Sequence, residues 1–149
     1  AIMPVHLYGN LFPTHKLRNK LKKKIVIIED SAHAMASEYK GNPIGSKGDI
    51  ATFSFQCVKI VTCGDGGVIT TTKEEIYNKM KQISWYGIDR EAKKTDMLDP
   101  LPSHPKMLGY KSNMNDITAE RRQKKQKASI LKIIIDINIR LKINIAVDI

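Results

Sequence analysis

The chain has 149 residues, of which 42% are hydrophobic and 27% are charged. This length allows one domain with a core, and the composition is that of an ordinary soluble protein. No apolar run is long enough to cross a bilayer, and the first residues lack the pattern of a secretory signal. The chain opens in what reads as mid-strand and without methionine, which predicts a fragment.

The formal net charge of +10 raises the question of a nucleic-acid partner. The basic residues cluster at 16–24 and 121–127, in helix-like stretches with few aromatic side chains. No nucleic-acid-binding motif accompanies them, so a solvated basic helix face explains the charge better. Nucleic-acid binding is therefore the weaker interpretation of the charge.

The two cysteines, Cys57 and Cys63, are six residues apart. This spacing suits neither a zinc site nor a redox motif, and no second pair of cysteines exists. We therefore expect thiols in a reducing cytoplasm, and no metal site.

The N-terminal third of the chain predicts a strand, a helix and a second strand. Residues 2–7 read as a strand, and Thr14 is expected to cap a helix that runs to Lys24. Residues 25–28 form an uninterrupted β-branched run, which is typical of a strand buried on both faces of a parallel sheet. This order predicts a βαβ unit and hence an α/β fold.

The middle of the chain predicts two more strands that flank a loop. Residues 40–48 are rich in turn formers and predict a small hairpin. Residues 51–55 and 68–72 are short β-branched or aromatic runs, and a glycine-rich turn precedes the second of them. Residues 74–85 have the apolar spacing of an amphipathic helix.

Four side chains that could bind or react with a ligand follow the predicted strands, namely Asp30, His33, Ser54 and Lys59. Ligands gather at the carboxyl ends of strands in open α/β sheets, so we expect these side chains to share a site. A lysine amine forms a Schiff base with an aldehyde, as in pyridoxal phosphate. The carboxylate, imidazole and hydroxyl would then suit the cofactor's ring nitrogen, ring and phosphate. From the residues alone, an aspartate cap, a partly buried histidine and a structural serine are the favoured interpretations, and the cofactor site is the alternative.

Several motifs in the same order resemble the DegT/DnrJ/EryC1/StrS aminotransferases. They are Ile28-Glu-Asp-Ser-Ala-His-Ala34, Gly45-Ser-Lys-Gly-Asp-Ile50, Phe53-Ser-Phe-Gln-Cys-Val-Lys59 and Thr62-Cys-Gly-Asp-Gly-Gly67. Ordered motifs together are far more specific than any one of them. The resemblance implies that residues 1–119 are part of the large three-layer α/β/α domain of a fold-type-I enzyme that depends on pyridoxal 5'-phosphate. Residues 120–149 are then a divergent, basic and Ile-rich tail, a degraded continuation of the same region.

The resemblance also implies roles for individual residues. Lys59 corresponds to the lysine that binds the cofactor covalently and then moves a proton. Asp30 corresponds to the carboxylate at the ring nitrogen, His33 to a residue beside the ring, and Ser54 to a phosphate ligand. Asn113 falls near a position that reaches the cofactor phosphate of the partner subunit. A lysine at position 59, rather than the histidine of some related sugar dehydratases, favours transamination over dehydration.

The implied reaction is transamination of a nucleotide-linked keto sugar to an amino sugar, with glutamate as the expected amino donor. The implied setting is a cytoplasmic homodimer without a membrane or nucleic-acid partner. Segments that complete the site in the family, before and after this stretch, are missing here, which again predicts a fragment. The alternative is a catalytically inactive remnant that acts only as a folding or interaction module.

Overall fold

The computed structural model describes residues 1–22, 24–89, 104–112 and 147–148. In chain order its elements are α1 (Thr14–Lys20), β1 (Ile28–Asp30), β2 (Glu38–Tyr39), β3 (Asn42–Pro43), β4 (Ile50–Ser54), β5 (Gly67–Thr71), α2 (Glu74–Ile83) and β6 (Val147–Asp148). The main sheet has the order β1-β4-β5-β6, while β2 and β3 form the predicted hairpin. Strands β1 and β4 are parallel, and the remaining pairs of the main sheet are antiparallel. The predicted α/β class is confirmed.

The N-terminal segment extends this sheet as a third parallel member. Ile2 and Val5 form parallel bridges with Ile27 and Asp30, respectively. The His6 N–H donates to the Asp30 carbonyl at 2.9 Å, which continues the ladder towards the end of the segment. Because α1 connects this segment to its parallel neighbour β1, the predicted βαβ unit is confirmed.

Helix α1 is shorter than the sequence predicts. Thr14 is its first helical residue rather than its cap, and no side chain caps it. The helix ends at Lys20, where Leu21 turns to an extended conformation. Lys16, Lys20 and Lys24 are spaced by four residues, so a longer helix would stack like charges on one face. Among the described residues, neither helix has the length and apolar character that a membrane span needs.

The expectation that residues 25–28 are buried on both faces is wrong, because Ile25 and Ile28 are only half-buried. Ile27 is fully buried, but Val26 is exposed. The strand proper begins only at Ile28, so the β-branched run predicts the strand's existence better than its start.

The core lies against β4 and β5 and under the loop between them. Its buried members are Ala34, Ile44, Ala51, Phe53, Phe55, Val61, Cys63 and Val68. Along β4, buried residues alternate with half-buried ones, so one face of the strand packs on the core. The loop that follows β4 is held by the same cluster, because three core members belong to it or to its ends.

A buried carboxylate, Asp49, joins three parts of the fold. It pairs with Arg18 of α1 and with Lys73, which precedes α2, and it accepts the Ile27 N–H at 2.8 Å. Burial alone would raise the pKa of Asp49, but the hydrogen bonds from Lys73, Ile27 and Arg18 outweigh it and hold the pKa below its usual 3.8. Asp49 is therefore ionised at neutral pH and fixes the helices against the sheet.

Candidate active site

A cavity of about 540 Å³ opens at the carboxyl ends of the three parallel segments. One wall is the turn after the N-terminal segment, at Tyr8 and Gly9. A second wall follows β1, and the third is formed by the end of β4 with the loop after it. The volume lies in the range of small-molecule sites, and the position is where ligands bind in open α/β sheets.

Three of the predicted site residues line this one cavity, namely His33, Ser54 and Lys59. Asp30 ends β1, and its Oδ1 accepts the N–H of Ala32 at 3.2 Å. The Asp30 carboxylate thus caps the turn that carries the cavity wall, without lining the cavity itself. Asn113 lies outside the described residues. The structure therefore brings three of the five predicted side chains together and places a fourth next to them.

Lys59 lies at the tip of the loop between β4 and β5. Its N–H donates to the Gln56 carbonyl at 2.9 Å, which closes a turn. Its neighbours Val58 and Ile60 are 75% and 88% exposed, whereas Lys59 itself is half-buried in the cavity wall. Within the described part of the chain, the Lys59 ammonium forms no ion pair with a carboxylate. The amine is thus available to a ligand.

The base of this loop is tightly bonded. The Phe55 N–H donates to the Gly66 carbonyl at 2.8 Å, and the Cys63 N–H donates to the Phe55 carbonyl at 3.2 Å. The Thr62 hydroxyl donates to the Phe55 carbonyl at 2.9 Å and accepts the Gly64 N–H at 3.0 Å. These bonds fix the loop ends, so the position of the lysine backbone follows from its anchors.

Ser54 ends β4 opposite Gly67 of β5. The Ser54 hydroxyl oxygen accepts the Gln56 N–H at 3.3 Å, and a hydroxyl has one hydrogen of its own to donate. A Cβ at Gly67 would lie 2.8 Å from the Phe53 carbonyl oxygen, so glycine is needed for β5 to approach β4 here. The close pairing fixes the strand end that presents Ser54 to the cavity.

Tyr8 is the main residue that the sequence analysis missed. Its ring stacks on His33 with centroids 4.9 Å apart and planes at 24°. Its backbone N–H faces His33 Nδ1 at 3.5 Å. The only local signal is a Tyr-Gly pair after a predicted strand, which reads as a simple strand end.

The cavity combines a primary amine, a hydroxyl and an imidazole with apolar walls that include Val58, Ile60 and Val61. A primary amine can bond to the carbon of a carbonyl group, and a hydroxyl can donate a hydrogen bond to an anionic oxygen. Stacked aromatic rings favour a flat ligand. The arrangement therefore suits a flat, anionic molecule that bears an aldehyde.

Comparisons with known proteins agree with this chemistry. Residues 1–125 match the DegT/DnrJ/EryC1/StrS aminotransferase family. GDP-perosamine synthase of Caulobacter vibrioides is 42% identical over 90 residues, which are 60% of this chain and 24% of that protein.

Solved structures share the fold. Helicobacter pylori PseC, an aminotransferase involved in the biosynthesis of pseudoaminic acid, superposes with a TM-score of 0.75 at 26% identity. The superposition covers 88% of this chain and 34% of PseC. Streptococcus pneumoniae Spr1654 in its PLP form gives a TM-score of 0.64 at 30% identity, covering 85% of this chain and 36% of that one. Spr1654 is also known in a PMP form.

The chain spans between 24% and 36% of the length of these relatives. The fold predicted from the motifs is confirmed by the structural similarity, and the predicted family is confirmed by the family match. The chain belongs to the DegT/DnrJ/EryC1/StrS aminotransferase family, whose members are aminotransferases that depend on pyridoxal 5'-phosphate.

Proposed function

We propose that this chain carries the lysine half of the cofactor site of a sugar aminotransferase. The observation that supports this most is the meeting of Lys59, His33 and Ser54 at one cavity, at the carboxyl ends of three parallel segments. Such a meeting requires contributions from two strand ends and a loop, so it depends on the fold as well as on the motifs.

The residues fit pyridoxal phosphate by their chemistry. The Lys59 amine has no carboxylate partner among the described residues and can bind the aldehyde carbon covalently. The Ser54 hydroxyl can donate to a phosphate oxygen, and the His33 ring offers a flat wall. When bound, the cofactor supplies the electron sink that stabilises negative charge at the substrate carbon.

Two of the chain's residues then act on charge and protons. Asp30 uses Oδ1 for the Ala32 N–H, and its Oδ2 accepts no hydrogen bond within the described residues. That second oxygen is the group we assign to the protonated ring nitrogen. The Lys59 amine, when it is not bonded to the cofactor, would accept a proton from the substrate carbon and deliver it to the cofactor carbon, as transamination requires.

Covalent labelling tests the central assignment. Incubation with pyridoxal phosphate, borohydride reduction and peptide mass mapping should find the cofactor on Lys59 alone. Lys59→Ala should abolish the label, whereas Lys79→Ala, which removes an exposed lysine of α2, should retain it. No label at saturating cofactor, or a label spread over the surface lysines, would refute the proposal.

The substrate and donor are finer parts of the same proposal. The Caulobacter relative is named for a GDP-linked sugar, and we expect a nucleotide-linked keto sugar as substrate and glutamate as amino donor. Glutamate should bleach the yellow colour of the loaded protein, and alanine should not. Bleaching by alanine, but not by glutamate, would contradict the donor assignment.

The assembly is proposed to be a cytoplasmic homodimer, or, in an inactive remnant, an interaction module. The exposed apolar side chains at the cavity rim, Tyr8, Val58 and Ile60, favour a covering surface in both cases. Light scattering reports self-association in both cases, so the covalent labelling described above separates the two. The enzyme requires covalent labelling by the cofactor, whereas the module requires self-association without it.

A further inference from the structure

The turn at the first cavity wall has a backbone conformation that is unfavourable for tyrosine, the residue at position 8. Tyr8 has φ +49° and Gly9 has φ +78°, and the Asn10 N–H donates to the Leu7 carbonyl at 2.9 Å. Two positive φ values inside a hydrogen-bonded turn define type I′, in which glycine, asparagine and aspartate are favoured. A tyrosine at this position carries backbone strain that glycine would relieve.

Neither the turn nor the core accounts for this tyrosine. Tyr8 is 85% exposed, so its ring contributes little buried area. The ring instead stacks on His33, and the backbone N–H faces Nδ1 of the same imidazole. At 3.5 Å the N–H contact is long, so the stacked rings provide the larger part of the restraint.

We propose that Tyr8 is a positioning residue that holds the His33 imidazole in one orientation and one tautomer. Because the Tyr8 N–H points at Nδ1, that nitrogen is an acceptor, and the neutral ring carries its hydrogen on Nε2. The Nε2–H is then the donor that His33 offers to an oxygen atom of a ligand in the cavity. The identity of that ligand as pyridoxal phosphate rests on the proposed function, but the relation between the two rings does not.

The nitrogen chemical shifts of His33 test this directly, because they report which ring nitrogen carries the hydrogen. Spectra are recorded without cofactor, at a pH where the nitrogen shifts themselves show a neutral ring. In the native chain we expect the signature of a single Nε2–H tautomer. Tyr8→Gly removes the ring and relieves the backbone, so it should move His33 towards a tautomer mixture while the melting temperature stays level or rises.

Three further variants keep the result interpretable. Tyr8→Asn also suits the turn and should act like Tyr8→Gly, whereas Tyr8→Phe keeps the stacked ring and should match the native chain. The matched control is Tyr86→Gly. Tyr86 has φ +55° before Gly87 at φ +73°, and the Ile88 N–H donates to the Trp85 carbonyl at 2.9 Å, so the turn is of the same kind. This control should leave the His33 shifts unchanged.

Cofactor binding provides the second measurement. Loss of one aromatic stacking pair should weaken pyridoxal phosphate binding by roughly 2- to 12-fold in Tyr8→Gly and not in Tyr8→Phe. Unchanged His33 shifts in both Tyr8→Gly and Tyr8→Asn would overturn the inference, as would equal shifts in Tyr86→Gly. A native chain that binds no cofactor, yet shows the single tautomer and its loss in Tyr8→Gly, would refute the proposed function and leave the positioning role standing.

Discussion

Replacement of the buried Asp49 by asparagine should destabilise the fold by more than the loss of an exposed carboxylate would. The Asp49 side chain is only 8% exposed and takes donors from α1, from the start of α2 and from the backbone of Ile27. Asparagine keeps the shape and an acceptor for the Ile27 N–H, so the change isolates the charge. Alanine removes the acceptor as well.

The structure sets the size of both effects. Losing one member of a buried ion pair costs about 3–5 kcal/mol. Here Lys73 is 52% exposed and Arg18 partly so, and water compensates these two cations in the variant. We therefore expect about 2 kcal/mol for Asp49→Asn, below that range. Asp49→Ala also leaves a buried N–H without an acceptor, at about 1–3 kcal/mol more.

The pH dependence gives the same argument a second test. The pKa of Asp49 is lowered by folding, so its contribution to stability is complete above the unfolded value of 3.8 and is lost as pH falls through the lower folded value. Urea unfolding of the native chain and Asp49→Asn should thus show a gap that narrows on acidification below 3.8. Asp65→Asn, which removes an exposed loop carboxylate, is the charge-matched control. An equal loss in both variants, or a gap that does not change with pH, would refute the reasoning.

Other features of the fold lead to sharp expectations of the same kind. Gly67→Ala should lower the free energy of unfolding in urea by about 1–3 kcal/mol, because the new methyl group would overlap a backbone oxygen of β4. Gly41→Ala is the control. It has open space around the new methyl group, so it should cost only the roughly 1 kcal/mol of its positive φ. A thiol reagent should label exposed Cys57 quickly and buried Cys63 only on unfolding, as mass spectrometry of the folded chain would show. Ser54→Ala should weaken pyridoxal phosphate binding by roughly 10- to 150-fold, the value of one hydrogen bond to a charged group, and shift the unfolding midpoint only slightly, because the Gln56 N–H that Ser54 accepts is exposed.

The sequence predicts those parts of this fold that depend on local pattern. The strands at 51–55 and 68–72 and the helix at 74–85 appear within two residues of their predicted bounds, because β-branched runs and apolar spacing specify them locally. The cavity follows from the strand ends, since parallel strands bring their carboxyl ends to one edge. His33 and Lys59 were therefore predictable as neighbours in the fold.

The features that were not predictable depend on long-range partners. Asp49 reads as a turn residue before a strand, yet its partner Arg18 is 31 residues away. Tyr8 reads as a strand end, and only the fold places its ring on an imidazole 25 residues further along the chain. For Asp30 the two predicted interpretations, cap and ligand, are both compatible with the structure, because one carboxylate oxygen serves the turn and the other accepts no bond within the described residues.

The loop that carries Lys59 inverts the usual order of burial, and this inversion is informative about its role. Val58 and Ile60 are exposed, although each would stabilise the fold by about 1.5–3 kcal/mol if buried, while the lysine between them is half-buried. Stability alone would favour the opposite arrangement. The buried side chains of Phe55 and Val61 anchor the two ends of the loop. The residues at its tip are therefore not needed to keep the chain folded. An exposed apolar tip around an amine, on a base fixed by hydrogen bonds, is the arrangement that the proposed cofactor site requires.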